Sequence, residues 1–488
     1  MSDVVRRLQD TLSNKADVQG IEFGGVWSTW GEVARYGDAI ETALVESGVP
    51  AGARVAVVVR NRDVHASAII GALAHNRSVS FIYAFLPAAA MDAAVRDIPA
   101  AGILAADDDV AASEALCAET GRAVIALGSI KSGPSKKLKA DPAKTSALND
   151  NAPAEAGVEV LSSGTTGTPK RILMPMRLLE RAVGSAPGSE AGGEPPAMIN
   201  TWPLGGVGGV CLLTAAAYHG VPLVLIERFN VPELIDIIAR HKPPTIGLPP
   251  AAIRMVYDAN VPKEALGTVA SISGGSAPID NDLHDNFEKR YGIPLLWGLG
   301  ATEFCGTIAR WTPQDYAEFG PRKRGSAGRA MTGVELRIVD PETFQKVPAG
   351  QEGLMEVYCP AVRPDWVRTT DLAFIDEDGF LFHRGRYDGA IVRGGFKILP
   401  ERVAEVLRTH PSVGDAVVVG KEDARLGMVP VAAVELRPGA PVVDAATLEQ
   451  HARAHLAPTH VPAEIKILDA LPRTPSMKVN LAAVKTLF

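Results

Sequence analysis

Cysteine is scarce in this chain. Four occur in 488 residues, at 117, 211, 305 and 359, too far apart for any Cys-x-x-Cys pair, which excludes a disulfide framework and a cysteine-rich zinc site and points to a reducing compartment. Basic charge is also short: 49 Lys and Arg against 56 Asp and Glu leave a net charge of −7, so composition gives a nucleic-acid partner no support. The N-terminus has no signal-type apolar core; Val4, Val5, Leu8 and Leu12 instead recur on one face of a helix capped by Ser2, and the expected location is cytoplasmic. Residues 207–226 contain no Asp, Glu, Lys or Arg and approach the length of a membrane span. Tyr218-His219-Gly220 and Pro222 divide them into a helix and a short strand, so they read as buried and no membrane span is expected. No internal repeat is evident.

What is present is alternation. Apolar runs such as 54–59 and 102–105 alternate with helical stretches such as 66–73, the pattern of an α/β fold. Residues 131–156 read as a polar connector and 185–197 as an exposed loop. Short strands at 335–339, 353–358 and 379–383 predict a β-rich subdomain over about 321–386. Helices at 400–409 and 445–455 with strands at 415–419 and 431–436 predict a small C-terminal α+β unit. The expected fold is therefore a large N-terminal α/β domain, residues 1–386, of mixed and parallel sheets packed with helices, followed by a small mobile domain over 387–488.

Residues 161–170 read LSSGTTGTPK. Gly164 and Gly167 let backbone N–H groups approach an anion, Ser162, Ser163, Thr165 and Thr166 add hydroxyl donors, and Lys170 adds a charge, so the loop is suited to hold phosphate. It is not a Walker A loop, because Pro169 precedes the lysine and Arg171 follows it. Behind it stand WGLGATE at 297–303, a long string at 366–389 that ends in RGRYDG, IVRGGFKILP at 391–400 and PRTPSMKVN at 472–480.

These five segments, in this order, resemble the superfamily of adenylate-forming enzymes, which includes acyl- and aryl-CoA synthetases. The resemblance covers the chain from about residue 20 to its end. It implies a two-step reaction in which a carboxylate attacks the α-phosphate of ATP, giving an acyl-adenylate and pyrophosphate, and a thiol then displaces AMP. By motif, Thr165, Thr166 and Lys170 would embrace the β- and γ-phosphates, Thr302 would contact the α-phosphate and Glu303 would hold Mg²⁺. Gly274, Gly275, Ser276, Leu299, Gly300 and Ala301 would border the adenine. Asp371 would accept from the ribose hydroxyls, with Arg386 beside the ribose and phosphate. Lys478 would reach into the site from the C-terminal domain, Asp388 would be the hinge, and Gly394-Gly395 would line the path of a pantetheine arm.

The acyl pocket is expected at Gly205, Gly206, Val207, Gly247, Leu248, Ser273, Phe304 and Cys305. Relatives commonly place an aromatic or histidine at one of the positions matching Gly205 and Gly206. Two glycines there predict room for a bulky, uncharged acid. The chain also departs from the resemblance at Leu299, where a tyrosine usually packs on adenine, at Thr370, which replaces a glycine before Asp371, and at Arg171. The predicted function is an ATP- and Mg²⁺-dependent ligase that joins a hydrophobic carboxylic acid to CoA. The alternative acceptor is the phosphopantetheine of a carrier protein on a separate chain, and a homodimer is one possible assembly. A silent nucleotide sensor fits poorly with Lys170, Glu303, Asp371, Arg386 and Lys478 all in place.

Overall fold

The computed structural model describes residues 2–86, 88–150, 155–161, 171–184, 195–393, 396–474 and 477–488. Its first helix, Asp3–Asn14, starts where the Ser2 hydroxyl accepts the Val5 N–H at 3.3 Å, and Val4, Val5, Leu8 and Leu12 all face the core. The strands Gln19–Phe23 and Val26–Thr29 form a hairpin across Gly24 and Gly25, both at positive φ, as a tight two-residue connection requires. Helices Trp30–Glu46 and Asp63–Ala74 cross at Gly37 and Gly71, where a methyl group on Gly37 would lie 2.7 Å from the Gly71 Cα.

The large domain is built on three sheets with parallel centres; in the four-stranded one Met198–Asn200, Leu223–Leu225 and Gln19–Phe23 run parallel, with Val26–Thr29 antiparallel at the edge. In the seven-stranded one, Val55–Val59, Val79–Tyr83, Gly102–Ala106, Ala123–Leu127 and Gly157–Leu161 run parallel, with Arg171–Pro175 and Ser135–Leu138 antiparallel at the two edges. Its central strands are buried on both faces, which is why they read as unbroken Val/Ile/Leu/Ala runs. The five-stranded sheet sets Thr245–Gly247, Ser271–Gly274 and Leu295–Ala301 parallel and adds Gly306–Arg310 and Arg329–Ala330 antiparallel. Residues 207–226 divide into the helix Val207–His219, stopped by Gly220 in the left-handed region, and the buried strand Leu223–Leu225. Among the described residues no helix is long and apolar enough to cross a membrane.

The stretch 131–156 is more than a connector: it carries the edge strand Ser135–Leu138 and the helix Pro142–Asp150. A polar edge strand has no buried face and so leaves no apolar alternation in the sequence. Most of 185–197 lies outside the described residues.

An antiparallel sheet of Glu335–Val339, Gly353–Cys359, Arg363–Ile375 and Leu381–Arg386 follows. From Ile391 the chain builds its own sheet, in which Val413–Asp423 pairs with Gly427–Leu436 and Glu464–Leu468 joins in parallel, over a core that includes Ile398, Val403, Leu407, Val434 and Leu448. The fold is thus a large mixed α/β domain with a smaller C-terminal α+β domain.

Candidate active site

The loop 162–170, with Ser162, Ser163, Gly164, Thr165, Thr166, Gly167 and Lys170, lies outside the described residues, as do Gly394 and Gly395. The base of the loop is described. Strands Gly157–Leu161 and Arg171–Pro175 pair up to Leu161 opposite Arg171, so the loop leaves and re-enters the sheet at one point. There Glu159 is buried. Its carboxylate accepts from Arg54 Nη1 at 3.2 Å and from Ser80 Oγ at 2.8 Å, and Arg171 Nη1 stands 3.8 Å away. Arg171, a bare departure in the sequence, is therefore part of a buried network that ties both ends of the loop to the sheet. Glu159→Leu leaves two guanidinium groups without their shared acid, and thermal unfolding should show a loss of about 3–5 kcal/mol.

Leu295–Ala301 ends in a one-turn helix, Thr302–Phe304, closed by Cys305 at φ +56 with its N–H on Thr302 O at 3.0 Å. The turn leaves Glu303 exposed and buries Phe304 in the core of the neighbouring antiparallel sheet. Phe304 accordingly offers no surface to a pocket. Leu248 is a second correction: it is wholly buried with Ile246 and Ile253, while Ser273 on the neighbouring strand is exposed. Leu299 and Ala301 pack on the same core as Phe304. Gly274 is required by packing, because a methyl group there would meet the Trp297 ring at 1.9 Å. Ser276 beside it holds φ +68, a conformation unusual for a side-chain-bearing residue.

Asp371 and Arg386 are paired across two strands of the antiparallel sheet. The Arg386 guanidinium donates twice to Asp388, at 2.8 and 2.6 Å; that pairing, with Asp371 and Glu303 nearby, holds its pKa above the usual arginine value. The same contact holds Asp388 below the usual carboxylate range, helped by the Thr370 hydroxyl. The Thr370 backbone carbonyl accepts the Tyr387 N–H at 2.7 Å, a bond any residue could make, so what the threonine adds is its hydroxyl on Asp388.

Lys478 arrives from the other domain. Met477, at φ +60, packs against the large-domain core that contains Trp297 and Phe380, and Lys478 next to it is partly buried. Desolvation lowers the Lys478 pKa, and among the described residues no carboxylate pairs with it.

The glycine pair is not an open space. A methyl group on Gly205 would lie 2.9 Å from both Tyr83 Cε1 and Val59 Cγ1, so the room left by the missing side chain is already filled. Gly206 is freer, its nearest neighbours being Pro203 O at 3.4 Å and the Tyr83 hydroxyl at 3.9 Å. Burial pushes the Tyr83 phenol up to about 12. On the other flank the Trp202 indole lies against Gly208 and Gly247, with Nε1 3.0 Å from where a Gly247 methyl would sit. Val207 packs on the large core and Cys305 is buried. Asn61 fixes this segment: Nδ2 donates to Trp202 O at 2.9 Å and Oδ1 accepts the Leu204 N–H at 2.8 Å. Tyr83, Asn61 and Trp202 were missing from the sequence-derived site. Tyr83 ends the strand Val79–Tyr83 and Asn61 follows Val55–Val59 by two residues, and the carboxyl ends of parallel strands are where α/β sheets place ligands.

Residues 8–363 match the AMP-binding enzyme family and residues 402–478 the AMP-binding enzyme C-terminal domain. The 2-succinylbenzoate–CoA ligase of Bacillus subtilis is 29% identical over 332 residues, 65% of this chain and 66% of that protein, so the match spans just under two thirds of that relative. The sulfoacetate–CoA ligase of Cupriavidus necator is 29% identical over 475 residues, 93% of this chain and 91% of that one. The crystal structure of ATP-bound MatB from Rhodopseudomonas palustris has a TM-score of 0.82 at 22% identity, covering 99% of this chain and 98% of that one. At that identity the likeness establishes the fold. With both segments matched in order, this chain belongs to the AMP-binding enzyme family.

Proposed function

We propose that the protein is an AMP-forming acyl-CoA ligase. A carboxylate oxygen of the acid attacks the α-phosphorus of ATP and pyrophosphate leaves; the CoA thiol then attacks the acyl carbon, and AMP leaves with the proton of the thiol released to solvent. The observation that carries this reading is the pairing of Asp371 with Arg386 across two strands, with Glu303 on the Arg386 side of the site and Met477, next to Lys478, seated on the large-domain core. Relatives named as CoA ligases for 2-succinylbenzoate and sulfoacetate support the choice of acceptor.

Phosphoryl and adenylyl transfer depend mainly on positioning and charge, so fixed cations and donors suffice without a protein nucleophile. Asp371 is suited to accept from the ribose hydroxyls, Thr302 to donate to the α-phosphate, and Arg386 to exchange its bond with Asp388 for a phosphate oxygen. Glu303 is exposed on a rigid turn, with no ion pair among the described residues, and those residues include no cluster of three or more side chains that could form a metal cage. That fits Mg²⁺, which binds through one or two carboxylates plus substrate phosphates and would neutralise charge on the transferring group. Lys478, desolvated and without an ion pair among the described residues, is suited to the charge that develops between carboxylate and α-phosphate. Asp388 and the segment around it serve as the hinge by which Lys478 withdraws and the Gly394-Gly395 loop takes its place, with domains at 1–386 and 387–488. Four free cysteines accord with a cytoplasmic setting.

The acid is hydrophobic, and Tyr83 and Trp202, which flank the Gly205–Gly208 segment, are the side chains assigned to its pocket wall. Acid-dependent exchange of labelled pyrophosphate into ATP, with no CoA present, tests the first step; exchange that does not require an acid contradicts it. Tyr83→Ala opens the space beside Gly205 and should shift kcat/KM toward acids larger by one ring, by about 10-fold or more. An unchanged ranking of acids contradicts the assignment of Tyr83 to the pocket wall.

A further inference from the structure

The helix Pro400–Arg408 enters the domain boundary with its first turn. Arg402 Nη2 pairs with Glu352 of the large domain at 2.5 Å, an exposed contact at the rim. Glu401, one residue earlier, goes deeper. A methyl group on Gly385 would lie 2.8 Å from Glu401 Oε2 and 3.1 Å from its Cδ, and Gly385 holds φ +108, a conformation that favours glycine at this point of contact. Glu401 Oε2 is shielded from solvent and has no hydrogen-bond partner among the described residues. Burial raises the Glu401 pKa, while its own backbone N–H and the His383 imidazole oppose that rise. His383 Nε2 lies 3.2 Å from Asp371 Oδ1. His383 and Gly385 lie two residues apart on the strand Leu381–Arg386, so the strand that sets the imidazole on Asp371 at the candidate ribose site is also the one that Glu401 of the other domain abuts.

A buried acceptor left without a donor is costly, so the Glu401 contact as it stands holds the domains together only weakly. A donor turned toward Oε2 would reverse that. We propose that Glu401 is a positioning residue that couples the nucleotide site to domain orientation through His383. Resting on the adenylation reading above, the coupling works by competition: ribose hydroxyls donating to Asp371 displace His383 from Oδ1, and the freed imidazole donates to Glu401. Nucleotide binding then strengthens the domain orientation that docks Lys478. By reciprocity, docking of Glu401 raises affinity for the nucleotide.

The test uses the full-length protein and two separate half-reactions. Glu401→Ala should lower acid-dependent pyrophosphate exchange and raise the KM for ATP by on the order of 10-fold, while thioester formation from supplied acyl-adenylate and CoA is retained. His383→Phe should do the same, and the double variant should be no worse than either single one, because both break one chain of contacts. Glu401→Gln keeps the shape, and a smaller loss in it than in Glu401→Ala separates position from charge if the alanine variant folds poorly. Equal loss in both half-reactions, unchanged exchange, or strictly additive effects would overturn the coupling. Absence of exchange in the unaltered protein would instead overturn the adenylation reading, so the two failures are distinguishable.

Discussion

Lys478→Ala should lose adenylate formation by on the order of 10²–10³-fold while retaining ATP binding, because what is removed is one preorganised charge and none of the groups assigned to hold the nucleotide. Lys478 is the one cation assigned to this site that the C-terminal domain supplies. Its placement is set by Met477, whose side chain is seated on the large-domain core. Desolvation lowers the Lys478 pKa. The sign follows: the charged form is lost as pH rises through a value below that of a surface lysine, so adenylation should decline on the alkaline side earlier than ordinary lysine titration allows. The same burial costs stability at neutral pH, and that cost is relieved as pH rises between the folded and unfolded values. Lys478→Arg should move the alkaline limb upward, since a guanidinium stays charged. Pyrophosphate exchange and equilibrium ATP binding, measured across pH, check both statements. A variant that exchanges at the unaltered rate would remove Lys478 from the chemistry.

Glu303→Gln should slow adenylation by on the order of 10²-fold and shift the Mg²⁺ concentration needed for half-maximal rate upward, with the fold intact. The turn Thr302–Phe304 is held by the Cys305 N–H and by the burial of Phe304, and neither depends on the Glu303 carboxylate. The substitution therefore subtracts a negative charge from an exposed position and leaves the scaffold in place. Glu303 also acts on Arg386, whose guanidinium it helps to keep protonated. Initial rates over a Mg²⁺ titration give the answer, and an unchanged Mg²⁺ dependence would show that another group holds the metal.

Much of this was readable in the sequence wherever a local rule applied. Ser2 before an apolar helical face gave the first helix, Gly220 and Pro222 divided the uncharged stretch correctly, and the buried parallel strands declared themselves as runs of branched apolar residues. Of the motif residues, Asp371 and Arg386 face each other across two strands. What stayed hidden depends on contacts between distant segments. Gly205 and Gly206 read as empty space because a sequence cannot show that Tyr83, 122 residues earlier, fills one of them. Phe304 and Leu248 looked like walls, yet both side chains are taken up by cores that form from other strands. Arg171 looked like a neutral departure until Glu159 and Arg54 were seen beneath it. His383 lies inside the 366–389 string without a role of its own and Glu401 just past IVRGGFKILP, and the approach of Glu401 to Gly385 depends on how two domains are set against each other.

The central claim is that this chain activates a carboxylic acid as its adenylate and passes the acyl group to CoA. The most direct measurement is pyrophosphate release with ATP and Mg²⁺ over a panel of aliphatic, aromatic and alicyclic acids, each with and without CoA. Release should be limited to about one equivalent of enzyme without CoA and become catalytic with it, confined to hydrophobic acids. Release that stays at one equivalent when CoA is added would assign the acyl group to a carrier protein, and no release with any acid would contradict the account.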